Sequence, residues 1–199
     1  AAMLTTNVSA RVLQGMCEQE GIRFEETLTG FKWLGNKALD LEADGYKVLF
    51  AYEEAIGFML GGTSVVDKDG VAAAAVFVDL VNHVYGRELS LQAHLEGLYA
   101  KYGERLYKQG YFVIDVSKCA EVLGVLRQDY PAELGGVAVK AVEESGQMIT
   151  FRFEDNGFCV LRPSGTEPKL KYYIDLSTKS DQNVDIDKVE DNLKLLLSL

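Results

Sequence analysis

The chain has 199 residues, 48% of them apolar, and a formal net charge of -10. That length suits one large domain or two small ones with an ordinary buried core. The acidic balance excludes the clustered basic surface of a nucleic-acid binder, and any anionic ligand must be held by local cations against the overall field.

In chain order, Leu4 to Val8 is predicted as a strand, and Ser9 caps a helix that runs to Glu20 and stops at Gly21. Arg23 to Leu28 alternates as a second strand. Thr29 to Asn36 reads as a loop, and Lys37 to Ala43 as a short helix ended by Gly45. A third strand, Lys47 to Ala51, leads into a loop holding Glu53-Glu54-Ala55-Ile56-Gly57 and Gly61-Gly62. Asp69 or Gly70 opens an apolar helix over Val71 to Tyr85. It is too short to span a membrane and is broken by Asp79, Asn82 and His83, so it is expected to be buried on most sides. Ser90 caps a further helix ending near Gly103. This alternation of strand and helix predicts an α/β layer domain with parallel strands.

Beyond Tyr107 the order changes. A helix over Ser117 to Gln128 is followed by strands at Gly136–Val142, Met148–Glu154, Phe158–Leu161 and Lys169–Leu176. A closing helix from Asp187 to Leu199 carries Ile186, Val189, Leu193 and Leu196 on one face, with Asp187 and Glu190 spaced as in a capping box. Strands grouped between helices predict a smaller α+β domain, a helix-flanked antiparallel sheet. The expected division is residues 1–109 and 110–199. Cys17, Cys119 and Cys159 are odd in number and far apart, which predicts reduced thiols in a cytoplasmic protein rather than disulfides or a zinc site. No secretory leader is evident at the start, and the Asn7-Val8-Ser9 sequon is set aside with it.

Three loops carry candidate chemistry. Arg162-Pro163-Ser164-Gly165-Thr166-Glu167-Pro168 crosses between two strands. Two prolines stiffen it and Gly165 lets backbone N–H groups approach a ligand. Arg162 offers a planar fork for phosphate oxygens, while Ser164 and Thr166 add hydroxyl donors. The plainer alternative is a polar hairpin turn. Thr29-Gly30-Phe31-Lys32-Trp33 and Glu53-Glu54-Ala55-Ile56-Gly57 both follow predicted parallel strands, where open α/β sheets bind ligands. In the first, Thr29 and Lys32 suit phosphate or hydroxyls and Trp33 a flat apolar wall; the plainer reading is a buried Trp and a solvated Lys. In the second, adjacent carboxylates are costly to hold together unless something uses them, and acceptor-only groups match sugar hydroxyls. Its alternative is a solvated acidic loop. Walker A, Gly-x-Gly-x-x-Gly, His-Glu-x-x-His and nucleophile-elbow patterns are absent from the sequence, and His83 and His94 lack metal spacing.

Taken in order, these loops resemble the phosphoglucomutase family, the α-D-phosphohexomutases. Arg162 to Pro168 resembles the phosphate loop of that family's fourth domain. Glu53 to Gly57 resembles the sugar-binding loop of its third domain, and Thr29 to Asn36 the third-domain loop that reads substrate orientation. The mixture of motifs is most similar to the branch of phosphopentomutases and glucose-1,6-bisphosphate synthases. Many members have Ser where this chain has Ala55, and the connection at Val142 to Gln147 is shorter than in that branch. The family's phosphorylated serine loop and its magnesium-binding Asp-x-Asp-x-Asp cluster do not occur in these 199 residues.

The resemblance therefore implies the C-terminal half of a larger isomerase. That enzyme would move phosphate between C1 and C6 of a hexose, or C1 and C5 of a pentose, through a bisphosphate. It implies Mg2+ in the intact parent and glucose 1,6-bisphosphate as activator or intermediate. Arg162, Ser164, Gly165, Thr166 and Lys171 would hold the non-reacting phosphate, and Glu53, Glu54, Thr29, Gly30 and Lys32 the sugar. The partners implied are a sugar phosphate and the enzyme's N-terminal domains. The fragment alone would be inactive. A non-catalytic phospho-ligand-binding module is the alternative from another class.

Overall fold

Residues 1–61, 65–165, 167–178 and 184–197 are described by a computed structural model, with the side chain of Val116 excepted. The chain divides into two units, Ala1–Gly103 and Glu104–Leu199.

In the first unit the elements are β1 (Ala2–Thr6), α1 (Val12–Glu20), β2 (Arg23–Thr27), α2 (Phe31–Ala43), β3 (Val48–Glu53), β4 (Gly57–Leu60), α3 (Gly70–Tyr85) and α4 (Leu91–Tyr102). The sheet order is β2-β1-β3-β4, with β1 parallel to β2 and β3, and β4 antiparallel to β3. The β1–β2 and β2–β3 crossovers run in opposite directions along the sheet. Right-handed connections then put α1 and α2 on opposite faces. α2 buries Phe31, Leu34, Ala38 and Leu41 against Leu4, Val48, Ala51 and Met59. The predicted α/β layer is present.

Three local expectations change. α2 starts at Phe31, not Lys37, because Phe31 and Leu34 continue the stripe of Ala38 and Leu41 on its core-facing side. Lys32 and Trp33 therefore lie in its first turn. Ser9 does not cap α1; Arg11 occupies that position without a side-chain cap bond, while Gly21 ends the helix at φ 65 as expected. Asp69 does cap α3, accepting from the Val71 and Ala72 amides at 3.0 and 2.9 Å. The burial expected for α3 is overturned, since Val84 alone among its described residues is buried. Its apolar surface has no cover of matching extent within the first unit.

The second unit comprises β5 (Arg105–Val113), α5 (Val116–Leu126), β6 (Glu133–Leu134), β7 (Val137–Ala138), β8 (Ala141–Ser145), β9 (Met148–Arg152), β10 (Phe158–Pro163), β11 (Lys169–Ser177) and α6 (Ile186–Leu197). The antiparallel sheet runs β5-β11-β10-β9-β8, and α5 and α6 pack their apolar faces onto it around Leu123, Phe151, Leu161, Ile174, Val189 and Leu193. A helix-flanked antiparallel sheet is what the sequence predicts. The division between residues 109 and 110 would cut β5. That strand pairs along its whole length with β11, from Arg105↔Ser177 to Val113↔Lys169, so the boundary lies at Gly103/Glu104 instead. The single strand expected over Gly136–Val142 is two short ones, β7 and the start of β8. β6 turns into β7 through Gly135 and Gly136, both at positive φ. Asp185, not Asp187, caps α6, accepting from the Asp187 amide at 3.1 Å.

Candidate functional site

β3 and β4 form a hairpin whose tip is Glu54-Ala55-Ile56, with Glu53 and Gly57 directly paired at its base. The two adjacent carboxylates have different hydrogen-bond partners. Glu53 is buried beside Phe31 and accepts from Lys68 Nζ at 2.6 Å. This hydrogen bond raises the Lys68 pKa above its ordinary value. Gly57 makes room for the arrangement: a Cβ there would stand 2.6 Å from Phe31 Cε2 and 2.9 Å from Glu53 Cγ.

Glu54 is held differently. Its amide donates to Ser9 Oγ at 3.0 Å, and its carboxylate accepts from Thr6 and Ser9 hydroxyls at 3.4 Å each. Those two hydroxyls lie 2.7 Å apart and both residues are buried. The Tyr52 hydroxyl donates to the Ala10 carbonyl, and Thr5 Oγ1 donates to the Tyr52 carbonyl at 3.0 Å. The end of β1 and the turn after it therefore brace the hairpin. Ile56 at the tip is at φ 57, a left-handed conformation that costs a β-branched residue about 1–2 kcal/mol, and it is 84% exposed.

The segment Thr29-Gly30-Phe31-Lys32-Trp33 enters α2 through Gly30, at φ 106. Thr29 is half-buried, and Lys32 and Trp33 are exposed, with Lys32 Nζ 5.4 Å from the Trp33 ring centre. The buried ring of Phe31 faces Gly57, and Lys68 Nζ lies 5.6 Å from its centre. Phe31 thus brings this segment beside Glu53, as the sequence-based grouping of the two loops requires. Lys68 and Thr6 were not singled out by the sequence, and Ser9 only as a helix cap and sequon residue. No local pattern marks Lys68, and only the hairpin returns it to Glu53.

In the second unit, β10 and β11 carry the remaining candidates. Their register sets Arg162 directly opposite Lys171. Like charges facing each other across an antiparallel pair are destabilising unless something neutralises them. Among the described residues neither makes an ion pair, and both are half-buried. Ser164 closes the turn: its amide donates to the Lys169 carbonyl at 2.8 Å and its hydroxyl accepts from the Glu167 amide at 3.3 Å. Lys169 Nζ lies 2.8 Å from Glu167 Oε1 and 4.3 Å from the Tyr111 ring centre. The Lys169 hydrogen bond lowers the Glu167 pKa, and Lys169 itself is raised by the same bond. Gly165 is exposed and a Cβ there would meet no atom within 4 Å, so nothing inside the protein demands glycine. Thr166 lies outside the described residues.

The cysteines are all buried and free. Among the described residues no group of three or more His, Cys, Asp or Glu could hold a metal ion. No helix among them is long and apolar enough to cross a membrane.

Comparison with known proteins places the chain in a family. Residues 1–102 match the family model for phosphoglucomutase/phosphomannomutase, alpha/beta/alpha domain III. The chain is 38% identical over 221 positions to the glucose 1,6-bisphosphate synthase of Homo sapiens, covering 98% of this chain and 35% of that protein. It is 37% identical over 222 positions to the Homo sapiens phosphopentomutase, covering 98% of this chain and 36% of the relative. An alignment longer than the 199 residues means that the relatives carry residues this chain lacks. The open form of the Paramecium phosphoglucomutase pp63/parafusin superposes with a TM-score of 0.72 at 18% identity, over 99% of this chain and 37% of that structure. The chain thus spans about a third of the length of the relatives it matches. The match covers all of the first unit but Gly103, and the chain belongs to the phosphoglucomutase/phosphomannomutase family.

Proposed function

We propose that this chain is the substrate-holding part of a sugar-phosphate mutase and that it does not turn over substrate by itself. One observation carries the reading most directly: Arg162 and Lys171 face each other across β10 and β11 in a chain of net charge -10. A phosphate between them relieves their repulsion and gains charge-assisted hydrogen bonds. Ser164, Gly165 and Thr166 complete the phosphate group. An arginine fork reads the phosphate and not the sugar, which a mutase requires, because its substrate and its bisphosphate intermediate present different ends in turn.

In the first unit, Glu53 accepts sugar hydroxyls, with Lys68 balancing its charge, and Glu54, Thr29, Gly30 and Lys32 complete the sugar group. The reaction is transfer of phosphate between C1 and C6 of glucose, or C1 and C5 of a pentose, with glucose 1,6-bisphosphate as intermediate or activator. The relatives named above, a glucose 1,6-bisphosphate synthase and a phosphopentomutase, suit either sugar. Mg2+, which polarises the transferring phosphate in such chemistry, is held by residues outside this chain. The residues here bind and orient; positioning alone is worth up to about 7–11 kcal/mol of barrier in favourable cases.

The test is Arg162→Ala in the intact enzyme. Loss of a charge-assisted bond of about 1.5–3 kcal/mol raises KM about 10- to 150-fold for glucose 1-phosphate or ribose 1-phosphate. An unchanged kcat/KM with both sugars defeats the phosphate assignment, and mutase turnover by the 199 residues alone defeats the division of labour.

A further inference from the structure

Arg162 on β10, Lys171 on β11 and Tyr111 on β5 stand directly opposite one another in a single row across three strands. Residues directly opposite in an antiparallel pair share a face, and neighbouring strands lie about 4.8 Å apart. The row faces away from the helices, because Leu170, Tyr172 and Phe112, its neighbours in sequence, all pack in the core with α5 and α6. β5 is an edge strand, so Tyr111 closes the row on its open side, 55% exposed. The backbone beneath it is fixed from both sides. Phe112 packs on Tyr172 with ring centres 5.1 Å apart, and Gly110 lies so close that a Cβ there would stand 2.2 Å from the Tyr172 hydroxyl. The Tyr111 ring is drawn toward the loop between β10 and β11. Lys169, the first residue of β11, holds its Nζ 4.3 Å from the ring centre and 2.8 Å from Oε1 of Glu167 inside that loop. The Lys169 hydrogen bond leads in lowering the Glu167 pKa and the Lys171 charge adds to it, which puts Lys171 at the same end. Among the described residues the Tyr111 hydroxyl makes no hydrogen bond.

We propose that Tyr111 belongs to the phosphate-holding group, its hydroxyl donating to a phosphate bound by Arg162 and Lys171, and that the Glu167–Lys169 pair positions its ring. The charges favour this division of roles. A phosphate monoester carries about -1.5 to -2 at pH 7. Arg162 and Lys171, which make no ion pair among the described residues, supply two positive charges, and Lys169 is already balanced by Glu167. A phenol then adds a donor without adding charge. Its side chain is long enough to reach across one strand spacing, and with two rotatable bonds it is held at low entropic cost. A lysine over the ring face removes part of that remaining freedom. The inference rests on the phosphate reading of Arg162 and Lys171, and adds to it a side chain from a third strand.

The experiment titrates inorganic phosphate into the 199-residue chain at fixed ionic strength, with Kd read from the backbone amide shifts of Gly165 and Lys171. Tyr111→Phe keeps the ring over Lys169 and removes only the hydroxyl. It is expected to raise Kd about tenfold, the effect of losing one hydrogen bond to a charged group. Glu167→Gln combined with Lys169→Met removes the positioning pair at constant net charge. That double change is expected to raise Kd in the native background and to leave it unmoved in the Tyr111→Phe background, because residues acting through one another are not additive. Equal effects in the two backgrounds overturn the positioning role. A native Kd for Tyr111→Phe, with binding weakened in Arg162→Ala, overturns the tyrosine contact and leaves the phosphate reading standing. If Tyr111→Phe binds as the native chain and Tyr111→Leu does not, the ring and not the hydroxyl is used, which also overturns the contact. A native Kd for Arg162→Ala, or amides that do not move with phosphate in the native chain, overturns the phosphate reading and this inference together.

Discussion

Replacing Arg105 with Ala should destabilise the second unit by about 3–5 kcal/mol. Asp175 lies on β11 between Ile174 and Leu176 and is 0% exposed. Arg105 Nε donates to its Oδ1 at 2.5 Å, and Arg105 Nη1 also donates to the Asp155 carbonyl at 3.1 Å. The guanidinium therefore fixes both the start of β5 and the turn before β10. Its removal leaves a carboxylate in a fully desolvated place without its main cation, and that is far costlier than losing a surface pair, worth about 0–1 kcal/mol. Urea unfolding of the 199-residue chain, followed by far-ultraviolet circular dichroism, reads the effect. With a slope of about 2 kcal/mol/M, the midpoint falls by about 1.5–2.5 M. Arg105→Met combined with Asp175→Leu should recover most of the loss, because the buried charge goes with its partner. A shift below about 0.5 M for Arg105→Ala would refute the reasoning, since it would mean that Asp175 is solvated or satisfied without the arginine.

Two further outcomes follow from other contacts. Glu190 on α6 is held at a pKa of about 2, first by the hydrogen bond from Lys108 and then by that from Tyr172. The folded state therefore binds this proton more weakly than the unfolded chain. The resulting stability, about 1–3 kcal/mol, is complete above about pH 4.5 and fades as pH falls toward 2. Glu190→Gln should lower the thermal midpoint at pH 7 and narrow its deficit against the native chain by pH 3; a deficit that is constant with pH shows the carboxylate is not the source. Gly57→Ala would push a methyl against Phe31 and Glu53, both buried, at 2.6 and 2.9 Å. Such overpacking costs about 1–3 kcal/mol, so Tm should drop by several degrees, and an unchanged Tm would mean the Glu53 niche is looser than described.

The sequence carried the β10 and β11 strands and the Asp69 cap because each is written in consecutive residues. What it hid depends on partners far along the chain. Gly110 looks like a linker residue between domains, and the boundary was expected there. It is instead the middle of β5, and glycine is required because a Cβ would lie 2.2 Å from the Tyr172 hydroxyl on the neighbouring strand. Glu190 looks like a capping-box partner for Asp187, yet it turns away to Lys108 and Tyr172. The facing of Arg162 and Lys171 exists only once register is set, since nine residues separate them. α3 shows the opposite limit: its composition predicts burial, yet Val84 alone among its described residues is buried.

The Glu53-Glu54 pair shows how the fold sharpens a site. Adjacent acids after an apolar strand suggested two sugar ligands, held close at a cost. Glu53 ends β3 and Glu54 opens the hairpin tip, and the two carboxylates take different hydrogen-bond partners. Glu54 accepts from the Thr6 and Ser9 hydroxyls and, after the Glu53 hydrogen bond, also contributes to raising the Lys68 pKa. Glu53 falls on the side of α2, where burial beside Phe31 would be prohibitive without a cation, and Lys68 supplies one. A carboxylate accepts several hydrogen bonds, and Lys68 donates to one oxygen, Oε1. Glu53 thus combines acceptor capacity with a neutralised charge, and its neighbour's carboxylate is engaged in holding the hairpin. Under the proposed function, sugar recognition in this unit would turn chiefly on Glu53, with the Thr6 and Ser9 contacts bracing the hairpin that carries it.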